Sequence, residues 1–121
     1  MNKSIATGFL RLVTTGKVRE AYEKYVSENF IHHNAWFKGD RQSLLEAMEE
    51  SEKNNPVKIF DIKRMIEEGD LVSVHSHIRM NQDDRGMVVV HIFRFETGKI
   101  AELWDVIMPI PEENSNENGV I

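Results

Sequence analysis

This sequence predicts an α+β domain, with helices packed on one face of a curved antiparallel sheet. Three observations carry that prediction. Apolar residues recur at helical spacing as far as Asn54, and from Leu71 onward they alternate at the period of a strand. Between Met87 and Met108, two apolar runs flank Glu96-Thr97-Gly98-Lys99, the pattern of an antiparallel hairpin.

In chain order, residues 3–15 place Ile5, Phe9, Leu12 and Val13 on one stripe, and Gly16 ends that helix. A second helix is expected from Lys17 to Val26, with Val18, Ala21, Tyr22 and Tyr25 on one side. Asn29 to Asn34 is short and reads as a brief strand or extended turn. Gly39-Asp40 opens a third helix with Asp40 as its N-cap and Leu44, Leu45 and Met48 as its buried side; Asn54-Asn55-Pro56 stops it.

Val57 to Ile66 alternates imperfectly and is expected as a strand, followed by a turn at Glu67 to Asp70. In Leu71 to Met80, Val72, Val74, Ile78 and Met80 point one way, and Ser73, His75, His77 and Arg79 the other. Asn81 to Gly86 is a polar loop. In the hairpin that follows, the register that sets Arg94 opposite Glu102 also sets Phe93 opposite Leu103, Phe95 opposite Ala101 and His91 opposite Asp105. Sliding by one residue would set Phe93 against Glu102 and Arg94 against Ala101, which is worse cross-strand chemistry. His91 and Asp105 are therefore expected side by side on the apolar face, where titratable groups are costly unless used or satisfied. Residues 1–111 read as one domain and 112–121 as a flexible polar tail.

The bulk properties exclude several classes. A chain of 121 residues, 40 % hydrophobic and 29 % charged, supports one domain with one core. Net charge is −5 with no basic cluster, which argues against a nucleic-acid partner. With no cysteine, disulfides, thiolate metal sites and a cysteine nucleophile are excluded, and a cytoplasmic location fits. Arg11 and polar residues interrupt the apolar stretch from Ile5 to Val13, so it does not read as a convincing signal peptide, and no run is long enough to span a bilayer.

Three segments together, NFIHHN at 29–34, DLVSVHSH at 70–77 and IFRFETGKIAELWDV at 92–106, resemble the SnoaL-like polyketide cyclase branch of the nuclear-transport-factor-two-like superfamily. The resemblance extends from about residue 5 to 111. It implies a cone, in which a curved sheet wraps three helices and encloses a pocket. It also implies intramolecular aldol chemistry without metal or cofactor, with an aspartate on the last strand as acid/base and a histidine nearby. Asp105 and His91 match those positions. The branch often has a histidine two residues before the aspartate and an acidic residue where His91 stands; here Leu103 takes the first of these places.

On this reading Asp105 is either a general base or a strand aspartate satisfied by its neighbours. His91 either donates to a developing enolate oxygen or is a buried histidine bonded to Asp105 or Ser76. Of His32 and His33 only one can face inward, and the resemblance favours His33 with Asn34 as substrate contacts near the mouth of the cone; holding a turn is the other role open to Asn34. Tyr22, Tyr25, Trp36 and Phe93, with Phe9 and Phe30, either line an apolar pocket or form core. His75 and His77 make only a weak metal pair, and no metal site or cofactor is expected. The expected function is a small acid/base enzyme (aldol condensation, cyclisation or isomerisation) acting on an apolar carbonyl compound. The alternative is a non-catalytic dimeric domain that binds a small ligand. On the outer sheet face Trp104, Ile92 and Val90 suggest a homodimer.

Overall fold

The computed structural model describes residues 1–56 and 58–121. Three helices, α1 (Asn2–Thr14), α2 (Val18–Tyr25) and α3 (Arg41–Asn54), pack against five strands. These are β1 (Val26–His32), β2 (Ile59–Glu68), β3 (Leu71–Arg79), β4 (Met87–Glu96) and β5 (Lys99–Pro109). The strands form one sheet in the order β1-β5-β4-β3-β2. The fold is the expected α+β class, with a mostly antiparallel sheet. Val57, where the first long strand was expected to begin, lies outside the described residues.

Local chemistry explains the helix ends. Gly16 takes φ 84°, and the N–H groups of Gly16 and Lys17 donate back to Val13 and Leu12 (3.2 and 2.8 Å). That is a Schellman closure, which a Cβ at position 16 would disfavour. Asp40 caps α3 by accepting from the Ser43 N–H at 3.0 Å, a contact typically contributing about 1 kcal/mol. The hydrogen bonds to Ser43 hold the Asp40 carboxyl below its ordinary range.

Two departures concern β1. The second helix ends one residue early, and the strand begins at Val26, directly after it. This strand runs parallel to β5, so the sheet is not wholly antiparallel. The connection explains why. Between β1 and β5 lie α3 and three strands, so the chain can return to β1's side in either direction, and no tight turn imposes antiparallel pairing. Val26, Phe30 and His32 face inward, and Ile31 faces out.

The β4–β5 hairpin has the expected register from Met87↔Pro109 to Arg94↔Glu102, including His91↔Asp105. The tip departs: Phe95 pairs with Ile100, not Ala101, and Ala101 is left over as a bulge. The turn is the cause. Thr97 and Gly98 both have positive φ (46° and 78°), the two-residue geometry that matches strand twist, and it ties Glu96 to Lys99. That turn alone would slide the hairpin by one residue. The bulge restores the register that keeps Phe93, His91 and Leu103 on the core face. Further register shifts, between Ile62 and Arg64 in β2 and between Val26 and Ile31 in β1, contribute to the curvature of the sheet.

The core lies between α1, α2 and the inner sheet face. Phe9 is its hub, with ring centroids 5.6 Å from Tyr22 and 5.8 Å from Phe93, and Phe30 stands 6.1 Å from Tyr22. On the outer face Val90, Ile92 and Trp104 are half-buried, and Arg94 donates to Glu102 at 2.9 Å. Residues 112–121 form no helix or strand.

Candidate functional site

Strand alternation brings Asp105 and His91 together. Both lie on the inner face as direct cross-strand neighbours, and their side chains are 7 % and 11 % exposed. The nearest atoms, His91 Nε2 and Asp105 Oδ1, are 3.6 Å apart. This is beyond the range of an N–H···O hydrogen bond. Among the described residues, Asp105 Oδ1 and His91 Nδ1 are buried without any partner. Buried polar atoms are almost always satisfied, so an orphan on each of two neighbouring side chains makes this pair the candidate site.

The second carboxylate oxygen is held. Asn34 Nδ2 donates to Asp105 Oδ2 at 2.9 Å, while Asn34 Oδ1 accepts the Trp36 N–H at 3.0 Å. Asn34 thus holds the turn, one of the two roles that the sequence left open to it, and its amide also anchors Asp105. One amide fixes the plane of the carboxylate and leaves its other oxygen bare.

Burial pushes the His91 imidazole down from its ordinary value of 6.5, and the Asp105 charge opposes this more weakly. The neutral ring has one N–H donor and one acceptor nitrogen. The unfolded chain therefore takes up the His91 proton at a higher pH than the folded one. This group's contribution to stability is complete above pH 6.5 and is lost as pH falls below it toward the lowered value. The slope in that window is at most about 1.4 kcal/mol per pH unit. Urea unfolding of wild type and His91→Leu between neutral and mildly acidic pH measures it, and the acid-side decline should flatten in the variant. Equal slopes would mean that His91 titrates no differently on folding.

An apolar cavity of about 120 Å³ opens beside His91, walled by Leu10, Val13, Met48, Phe60 and Ile78. Met48 and Ser51 also line a cleft that contains Asp105, Asn34 and Phe37, so the two hollows adjoin across α3. A further groove at Asp105 is lined by Asn34, Val106, Ile107 and Trp36, which is 81 % exposed.

His33 borders that groove together with Asn34, Trp36 and Asp105, its ring donating to Glu102 at 2.6 Å and stacked on Trp104 with centroids 5.0 Å apart. Other expected site residues fall elsewhere. His32 is the one that faces inward, but its ring is spent on the loop: Nδ1 accepts the Asn34 N–H, and Nε2 donates to the Lys38 carbonyl. Tyr22 and Phe93 are completely buried in the core, not on a cavity wall. The Tyr22 hydroxyl donates to Met48 Sδ at 3.3 Å, and burial pushes its pKa well up. Tyr25 packs over Gly8 of α1 at the edge of the core. His75 pairs with Arg64, and His77 donates to the Arg85 carbonyl at 2.7 Å. No group of three or more His, Asp or Glu among the described residues could hold a metal ion. Nor is any described helix long and apolar enough to cross a membrane.

Sequence reasoning missed the charged pair Glu52 and Lys58 in the cavity wall. A signal was present. Glu52 continues the four-residue step of Leu44 and Met48 along the buried stripe of α3, and Lys58 shares strand parity with Phe60 and Ile62.

Three helices are wrapped by a five-stranded sheet whose last two strands turn a carboxylate and an imidazole inward, and solved structures described as NTF2-like and as a cystatin fold share this architecture. A family model described as a SnoaL-like domain matches residues 6–103, and the chain belongs to that family. Solved structures agree on the fold. An NTF2-like protein of unknown function from Cytophaga hutchinsonii superposes with a TM-score of 0.70 at 20 % identity, over 90 % of this chain and 91 % of that one. A candidate polyketide cyclase from Acidithiobacillus ferrooxidans gives 0.71 at 19 %, over 87 % and 86 %. A candidate isomerase of the SnoaL-like family from Agrobacterium tumefaciens gives 0.71 at 13 %, over 87 % and 95 %. No curated protein matches the sequence.

Proposed function

We propose that this chain is a small acid/base enzyme that moves a proton alpha to the carbonyl of a compact apolar compound, in an isomerisation or an aldol-type cyclisation. The observation that carries this reading is the bare, buried Asp105 Oδ1 beside the unpartnered His91, with the other carboxylate oxygen tied to Asn34. Asp105 Oδ1 takes the proton as the C–H bond breaks, and its electron pair moves to the carbonyl oxygen. The His91 N–H donates to the enolate that forms. The proton then returns to another carbon, or to the alkoxide left after the enolate has formed a new C–C bond. Desolvation by the apolar wall strengthens each of these interactions.

The test needs no knowledge of the natural substrate. Deuterium exchange alpha to the carbonyl of small cyclic ketones, followed by NMR, should exceed the buffer rate with wild type and fall with Asp105→Asn. Exchange at the buffer rate with wild type across a panel of such ketones counts against the reading.

A second reading, a non-catalytic ligand-binding domain, is favoured by one fact: Tyr22 and Phe93 fill the centre of the cone and leave little room. It expects Asp105→Asn to change ligand affinity modestly and nothing else. In either reading the outer face receives a second copy of the chain. Val90, Ile92 and Trp104 give that face an apolar centre, and Arg94 and Glu102 put both signs of charge beside it, so the face complements itself across a two-fold axis. Sedimentation should give twice the chain mass of 14.0 kDa, and Ile92→Glu should return it to the monomer. A monomeric wild type at micromolar concentration sinks this assignment.

A further inference from the structure

The cavity beside His91 contains a charged pair that the proton-transfer reading does not use. Glu52 and Lys58 bond to each other in its wall, with side chains only 7 % and 10 % exposed. Such a pair is a poor structural element, because desolvating two charges offsets their attraction; an apolar pair of the same volume would hold α3 to β2 as well. Its chemistry is not exhausted either. The Lys58 ammonium has three donors, of which Glu52 takes one and Ser51 Oγ, at 3.4 Å, a second.

We infer that the Glu52–Lys58 pair reads a hydroxyl group on a substrate of about one ring in size. This rests on the acid/base reading above and specifies its substrate class. Charge balance selects the hydroxyl. The pair is neutral as a unit, and among the described residues the cavity wall has no other charged side chain, since burial keeps His91 neutral. A ligand carboxylate would set a second anion beside Glu52 with no cation to balance it. A hydroxyl accepts from Lys58 and donates to Glu52, so both remain satisfied and no charge is added. Volume sets the size. At about 120 Å³ the cavity is close to the roughly 150 Å³ known to hold a benzene molecule. Met48 and Ser51 line both this cavity and the cleft at Asp105, so a ring held here lies against the wall shared with that carboxylate, and a fused polycycle exceeds the volume.

The test is binding, which is independent of turnover. Phenol, toluene and benzoate are titrated into ¹⁵N-labelled protein, with the His91 ring resonances as reporter. Wild type should bind phenol at least about tenfold more tightly than toluene or benzoate, the range of one hydrogen bond to a charged group. The volume-matched double variant Glu52→Leu/Lys58→Met should keep toluene binding and bring phenol level with it. Glu52→Gln, which retains the shape and leaves the Lys58 charge uncompensated, should shift the preference toward benzoate; it also serves if the double variant does not fold. Asp105→Asn should keep the phenol preference, so failure of the proton-transfer assignment and failure of this one are separable. No ring bound at millimolar concentration, toluene or benzoate equal to phenol in wild type, or a phenol preference that survives in the double variant would each overturn the inference.

Discussion

Asp105→Asn should lower proton-exchange turnover about 10²–10⁴-fold and leave the folded structure in place. The substitution is nearly isosteric, and the one hydrogen bond that Asp105 makes is compatible with it: an asparagine carbonyl accepts from Asn34 Nδ2 as Oδ2 does now. The amide nitrogen then occupies the position of the bare Oδ1, which has no partner to lose. Stability should therefore change by no more than about 1 kcal/mol. What disappears is the carboxylate itself, the anionic group of the pair that takes up the proton. Asn34→Ala gives the complementary result. It releases Oδ2 and lets the carboxylate rotate, so it should reduce turnover less than Asp105→Asn does, by about tenfold to a hundredfold. Exchange that persists at the wild-type rate in Asp105→Asn would remove Asp105 from the chemistry and favour the ligand-binding reading.

How far this site was legible follows from which interactions are local. The Asp105–His91 pairing could be read because a hairpin has one turn, a period of two and few sensible registers, and charge and apolar matching chose among them. The bulge at Ala101 could not, because it arises from a conflict between the turn at Thr97-Gly98 and the burial of the far strand, neither of which is wrong by itself. The His32/His33 choice also lay beyond the local pattern. Alternation says that one of the two faces in, but only the parallel pairing of β1 with β5, a contact across about 70 residues, says which one. Tyr22 and Phe93 were ambiguous for another reason. A pocket in this fold is a gap in the core, so its lining and the core itself have the same aromatic composition; only packing separates them. Glu52 was legible in principle, as an acid on an apolar stripe, but its partner Lys58 comes from the connection just ahead of β2, so the pair needed the tertiary structure.

Phe93 decides the last of these questions by stability. The ring is fully buried, edge-on to Phe9 at 5.8 Å, stacked on His91 at 5.9 Å and tilted against Phe95 at 6.4 Å. Phe93→Ala removes these contacts at the centre of the fold, where α1 and β4 meet and no solvent can enter to compensate. The expected loss is about 3–5 kcal/mol, the transfer term plus that of the cavity left behind. For a domain of this size it lowers Tm by roughly 10–20 °C, readable by calorimetry. Phe93→Leu, which retains most of the volume, should lose less than half as much. Activity should fall with Phe93→Ala even below its Tm, because the void opens under the His91 ring and removes the surface that fixes its orientation toward Asp105. A cavity-lining residue would behave in the opposite way: Tm would scarcely move, and ligand affinity would change with the size of the side chain. A Tm within about 2 °C of wild type, together with altered affinity for a bound ring, would move Phe93 from the core to the cavity wall. The usable volume would then extend past His91 toward Phe9, and the one-ring limit on the substrate would have to be enlarged.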